Sequence, residues 1–219
     1  MYKVIDFKTY DRLDHFNHFM TMENPFINIT VDVDITNWIQ KVKNEKRPFF
    51  LSFLYEVGKA ANIVKELRQR IFNGKIIEFD SCGSSYTVSL PNGTYRYCNV
   101  QTNLDFDRYL INALSAQKIA QESENLVEHD DPLSYFFISS LPWLAFKSLN
   151  LPYAKTTFSN PSITWGKYFT KDVIKKNHDH INVETRTYLP VSLMVNHALV
   201  DGIHISAFYE SLEKNLNEI

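Results

Sequence analysis

The chain has 219 residues, 44% hydrophobic and 22% charged, with a net charge of −2. That apolar share excludes a disordered chain, and the balanced charge offers no basic face for nucleic acid or an anionic membrane. Two cysteines, Cys82 and Cys98, are too few for a disulfide framework or a zinc site, and no apolar leader opens the chain, so a cytoplasmic location is expected.

No repeat or linker-like stretch divides residues 1–219, and a single domain is expected. From Phe26 to Ile35 the chain alternates: Ile27, Ile29, Val31, Val33 and Ile35 share one side, and Asn28, Thr30, Asp32 and Asp34 the other. A period of two predicts a strand with one wet face. Thr36 is placed to cap a short helix carrying Trp38, Ile39 and Val42. The helical period of Leu51, Leu54, Tyr55, Ala61, Val64 and Leu67 predicts a helix over 50–67, ending near the basic Arg68-Gln69-Arg70.

Short strands are predicted at 75–79, 85–90 and 94–100, the last two joined by a turn at Pro91-Asn92-Gly93. A longer helix is predicted over 105–125, with Asp105 and Asp107 in its first turn. Strands are predicted at 136–140, 162–169 and 183–196; Pro190 demotes part of the last to an edge or bulge. A final helix opens at Asp201-Gly202, with Ile205, Phe208, Tyr209, Leu212 and Leu216 on one stripe. The irregular alternation of strands and helices predicts an α+β fold, a mixed β-sheet covered by helices on one side. No apolar run is long enough to span a membrane.

Three places carry candidate chemistry. His197 ends the apolar strand and precedes a turn, where an imidazole can face a cleft and take or return a proton near working pH. Asp201, four residues on, can bear on it or brace the turn, and Gly202 relaxes the turn geometry. An isolated histidine in such a place is more often structural. Ser148 lacks the flanking glycines of a nucleophile elbow, but a hydroxyl also serves as an oxyanion donor. A lone serine is more often a surface-turn residue. His178-Asp179-His180 has the alternation of a metal pair, yet its lysine-rich approach favours an exposed turn. His15 and His18 have no third ligand nearby in the sequence, and no glycine motif cradles a phosphate.

His197-Ala198-Leu199-Val200-Asp201-Gly202 matches His-x-x-x-Asp-Gly. Ser139-Ser140-Leu141-Pro142-Trp143, then Phe146-Lys147-Ser148-Leu149-Asn150-Leu151, and Thr164-Trp165-Gly166-Lys167-Tyr168 follow in order, with Tyr10-Asp11-Arg12 near the start. Across nearly its whole length the chain resembles the chloramphenicol acetyltransferases, and its His motif is similar to that of dihydrolipoamide acyltransferase cores. The resemblance implies a two-layer α/β sandwich of the CoA-dependent acyltransferase type. It implies a homotrimer with sites between subunits, and acetyl-CoA as co-substrate with no permanently bound cofactor or metal. It also implies acetyl transfer to a hydroxyl of chloramphenicol, inactivating an antibiotic. By the same resemblance His197 is the general base, and Ser148 holds the oxyanion with Thr164 assisting. Asp201 and Arg12 support the site as a pair, beside Asn196. Tyr168 and Lys167 are candidate CoA contacts, and Phe26 and Ile27 candidate acceptor-pocket residues. The chain departs from the family at Asn196, where a second His is usual, and at Pro25 and Ile27, where a Cys and an aromatic are common. Those departures leave open an acetyltransferase for another small hydroxyl compound, or a non-catalytic ligand-binding relative.

Overall fold

The computed structural model describes residues 1–126, 131–153, 155–177 and 180–218. Its strands are β1 (Tyr2–Val4), β2 (Phe26–Asp34), β3 (Gln69–Phe72), β4 (Lys75–Phe79), β5 (Gly83–Ser89), β6 (Tyr95–Val100), β7 (Tyr135–Ser140), β8 (Ser162–Trp165), β9 (Phe169–Asn177) and β10 (His180–Asn196). Its helices are α1 (Leu13–Met20), α2 (Thr36–Asn44), α3 (Phe49–Ile63), α4 (Phe106–Glu122) and α5 (Gly202–Asn217).

The main sheet has the order β2-β10-β8-β7-β5-β6, with β9 pairing the first half of β10. The β5–β7 and β7–β8 pairs are parallel and the others antiparallel. The sheet is therefore mixed, as expected. Strands β1, β4 and β3 form a second, antiparallel sheet. The strand at 75–79 thus leaves the main sheet, and β1 and β3 are strands that sequence patterning did not predict.

Helices α2 to α5 pack on one another and on the inward face of the main sheet. The α5 stripe of Ile205, Phe208, Tyr209, Leu212 and Leu216 is buried there. The Tyr209 hydroxyl lies 2.9 Å from the carbonyls of both Ile29 and Val191, joining α5 to β2 and β10. Burying these side chains contributes on the order of 1.5–3 kcal/mol each.

Several local expectations change for identifiable reasons. Thr36 is the first residue of α2, not its cap; Asp34 accepts from both its N–H (2.9 Å) and its hydroxyl (2.6 Å). Helix α3 stops at Ile63, short of Leu67. The Asn62 amide donates to the Gly58 and Cys82 carbonyls, drawing the chain toward the residues leading into β5. Gln69 and Arg70, expected at a helix end, lie in β3, with Arg70 fully buried. The extended run 162–169 is two strands, interrupted at Gly166–Tyr168.

Pro190 sits in the middle of β10, not at an edge. Its carbonyl accepts from the Gly166 N–H, so its nitrogen faces the same side, where β9 has ended at Tyr188 and β8 begins opposite Val191. The missing N–H falls in that interruption and no ladder bond is lost.

Strand alternation places Phe26, Asn28, Ser192, Met194, Ser162, Thr164, Phe137 and Ser139 on the face away from the helices. The connection between β7 and β8 crosses this face. The Asn28 amide donates to the Leu149 carbonyl, and its oxygen accepts from the Ser192 hydroxyl.

Candidate active site

Where β10 ends, the chain makes a tight turn on Asn196. The N–H groups of Leu199 and Val200 both donate to the Asn196 carbonyl at 3.1 Å, and its side-chain oxygen accepts from the Ala198 N–H. The side-chain nitrogen of Asn196 is buried without a partner. His197 is held by its own N–H, which donates to the Pro25 carbonyl at 2.7 Å. Its Nδ1 lies 2.9 Å from the Val200 carbonyl. A carbonyl only accepts, so Nδ1 carries a proton, and in the neutral ring the lone pair is on Nε2. The ring stacks on Phe19 of α1, with centroids 3.9 Å apart and planes 17° from parallel.

Asp201 caps α5: its carboxylate accepts from the Gly202 N–H at 2.6 Å and, through the other oxygen, from Arg12 Nη1 at 3.3 Å. The Gly202 amide, and then the Arg12 guanidinium, hold the Asp201 carboxyl below its ordinary range despite partial burial. Arg12 Nη2 reaches the His197 carbonyl at 3.5 Å. Gly202 has neither a positive φ nor a close neighbour, so the turn does not require glycine there.

Ser148 is exposed on the β7–β8 connection. Its neighbours anchor that connection: Lys147 Nζ lies 2.9 Å from Asp32 and 4.8 Å from the Phe169 ring centre, and Leu149 is held by Asn28. Gly166 sets the crossing point, because a Cβ there would collide with the Leu144 carbonyl. The Lys167 N–H donates to that same carbonyl. Thr164 is 1% exposed, and its hydroxyl has no hydrogen-bond partner. Tyr168 is 44% exposed beside Phe49, with ring centres 6.0 Å apart.

The structure brings His197, Arg12, Asp201 and Asn196 together around one turn. It places Ser148 and Thr164 on the sheet face away from the helices. No hydrogen bond joins Ser148 to His197 among the described residues. Phe26 packs against Tyr153 on that outer face, with ring centres 4.3 Å apart and planes tilted by 37°, but Ile27 points the other way, packing against the core. Ile27 therefore does not share a face with Phe26, as a common acceptor pocket would require; successive residues of a strand alternate. His15 and His18 are exposed on α1. Residues 178 and 179 lie outside the described residues, as does the side chain of His180. Among the described residues no group of three His, Cys, Asp or Glu could hold a metal, and no helix is long and apolar enough to cross a membrane.

Sequence patterning missed two features of the site. A cavity of about 570 Å³ opens on the outer sheet face, lined by Tyr95, Tyr97, Phe137, Ser139, Tyr153 and Met194 among others. The alternation Tyr95-Arg96-Tyr97 was visible in a predicted strand, but not which face it served. The second is His204, which accepts from the Asp201 N–H at 2.9 Å through Nδ1. Its spacing, three residues after an Asp cap, was the available signal.

A mixed sheet covered by helices on one face is the CoA-dependent acyltransferase fold. A dihydrolipoamide acetyltransferase from Azotobacter vinelandii shares this fold (TM-score 0.66, 16% identity, covering 93% of this chain and 85% of that one). The structure of a chloramphenicol acetyltransferase superposes with a TM-score of 0.84 at 26% identity, over 99% of this chain and 100% of that one. Chloramphenicol acetyltransferases of Escherichia coli and Clostridium perfringens are each 27% identical. Their matches cover 99% and 97% of this chain, and 94% of each relative. Residues 1–213 match the family model for chloramphenicol acetyltransferase, and the chain belongs to that family.

Proposed function

We propose that this chain, read as one domain over residues 1–219, transfers acetyl from acetyl-CoA to a hydroxyl of chloramphenicol. The observation that carries the reading is His197, with Nδ1–H fixed by the Val200 carbonyl, which leaves Nε2 of the neutral ring to act as the base. An alcohol is far too weak an acid to ionise alone at neutral pH and needs a positioned base. In the proposed step His197 Nε2 removes the hydroxyl proton while the oxygen attacks the thioester carbonyl. The Ser148 hydroxyl, assisted by Thr164, donates to the oxyanion of the tetrahedral intermediate. Collapse breaks the C–S bond, and the imidazolium returns the proton to the departing CoA sulfur.

An exposed Ser148 and a His197 with no bond between them support a site completed by a second copy. The proposed assembly is a homotrimer with Ser148 and His197 meeting across the interface. Tyr168 and Lys167 are assigned to the CoA side, and the aromatic cavity with Phe26 to the acceptor. The proposed compartment is the cytoplasm, where acetyl-CoA is available. Pro25, and Ile27 turned into the core, favour one second reading: the same chemistry on a different small hydroxyl compound.

The test is thiol release from acetyl-CoA with chloramphenicol, beside a panel of other small alcohols, for the wild type and His197→Ala. Release with chloramphenicol, lost in the variant while the assembly stays folded, is expected. Release only with another alcohol supports the second reading, and unchanged release in the variant overturns the role of His197.

A further inference from the structure

The hydrogen bonds around His197 continue beyond the turn that holds it. The Val200–Asp201 peptide is gripped at both ends. Its carbonyl accepts from His197 Nδ1 at 2.9 Å, and its N–H donates to His204 Nδ1, also at 2.9 Å. One amide therefore links two imidazoles. His204 lies in the first turn of α5, and its side chain is only 18% exposed. Because its Nδ1 accepts from a backbone N–H, His204 is neutral with the proton on Nε2, which lies 3.8 Å from Glu66 Oε1.

An amide whose N–H meets a strong acceptor has a more electron-rich carbonyl. Hydrogen bonds in such a chain reinforce one another. A firmer bond at Val200 holds the His197 ring in one tautomer and orientation and favours its protonated form. We propose that His204 is a positioning residue that sets the tautomer, orientation and basicity of His197 through the Val200–Asp201 peptide. The proposal rests on the reading of His197 as the base.

The link has a pH limit of its own. A protonated His204 presents N–H at both nitrogens and cannot accept from Asp201, so the chain of bonds breaks at that point. Burial holds its pKa below the ordinary histidine value. Glu66 from the turn before β3 and Asp201 from the α5 cap oppose that shift, and Arg12 beside α1 and Lys65 support it. The accepting state is thus complete above the ordinary histidine range and is lost as pH falls below it.

The experiment compares the wild type with His204→Gln and His204→Leu. Glutamine at this position can offer its side-chain oxygen to the Asp201 N–H, as in a capping box, but does not titrate. Leucine offers no acceptor. Imidazole ¹⁵N shifts of His197, followed through a pH titration, read its tautomer and pKa without reference to turnover. In the wild type and the Gln variant His197 is expected to be Nδ1-protonated when neutral. In the Leu variant it is expected to become a tautomer mixture with a lower pKa. Thiol release is expected to show kcat falling about fivefold in the Leu variant, the scale of one net hydrogen bond, with KM nearly unchanged and recovery in the Gln variant. The wild-type acid limb is expected to be steeper than that of the Gln variant, which lacks the second titrating group. If the tautomer and pKa of His197 are the same in the folded Leu and wild-type proteins, the proposal is overturned and His204 is only a helix cap. Absent turnover in the wild type alongside altered His197 shifts would refute the acetyltransfer reading but not the coupling.

Discussion

Replacing Asp201 with Ala and, separately, with Asn divides the two jobs of its carboxylate. One oxygen caps α5 by accepting from the Gly202 N–H at 2.6 Å, and the other pairs with Arg12 at 3.3 Å. Ala removes both; Asn keeps an oxygen for the cap and gives up the charge. Losing an N-cap side chain costs about 1 kcal/mol. The ion pair is discounted, because the Asp201 side chain is 40% exposed, to about 0–1 kcal/mol. The Ala variant is therefore expected to lose about 1–2 kcal/mol, and the Asn variant no more than about 1 kcal/mol. For a chain of this length each kcal/mol moves Tm by about 2–4 °C, so Ala lowers it by about 2–8 °C and Asn by no more than about half of that.

Thermal unfolding followed by far-UV circular dichroism at pH 7 and at lower pH provides the assay. The Asp201 carboxyl titrates below its ordinary range in the folded chain. Its charge-dependent stabilisation is complete above the ordinary carboxylate pKa and is lost as pH falls through the lowered folded value. The gap between wild type and the Asn variant is therefore expected to close on acidification. Thiol release is expected to fall more in Ala than in Asn, because the cap also fixes the turn that carries His197. An Asn variant as unstable as the Ala variant would refute the assignment of most of the energy to the cap. An Ala variant with unchanged Tm would refute both contributions.

Thr164→Val removes a buried hydroxyl that has no partner and puts a methyl in its place. Stability is expected to hold or rise by about 1 kcal/mol while thiol release falls, measured by urea unfolding beside the activity assay. Lower stability would mean that the hydroxyl serves the fold. Arg70→Met removes a fully buried guanidinium that donates to the carbonyls of Leu67, Gln69, Leu133 and Tyr135 and to Cys82 Sγ. Leaving those carbonyls short of donors is expected to cost about 3–5 kcal/mol in the same urea experiment. A variant as stable as the wild type would show that burying the charge costs as much as its bonds return.

The period of two from Ile27 to Ile35, the stripe on α5 and the opening of that helix at Asp201-Gly202 were all legible in the chain. Each depends on residues within a turn or two of one another. The wet face of β2 was also legible, since alternation alone separates Asn28 from Ile29. Alternation likewise separates Phe26 from Ile27, and the core contact of Ile27 shows which face is inward. Arg70 reads as a basic residue at a helix end, but carbonyls from Leu67 to Tyr135 converge on it. Pro190 reads as a strand breaker, but β9 and β8 leave a gap where its nitrogen points. Whether Ser148 meets His197 within one chain depended on where the β7–β8 connection crosses the sheet. Local patterns record which residues can form a strand, a helix or a cap. The register that joins distant strands decides which polar groups meet and which stay open for chemistry.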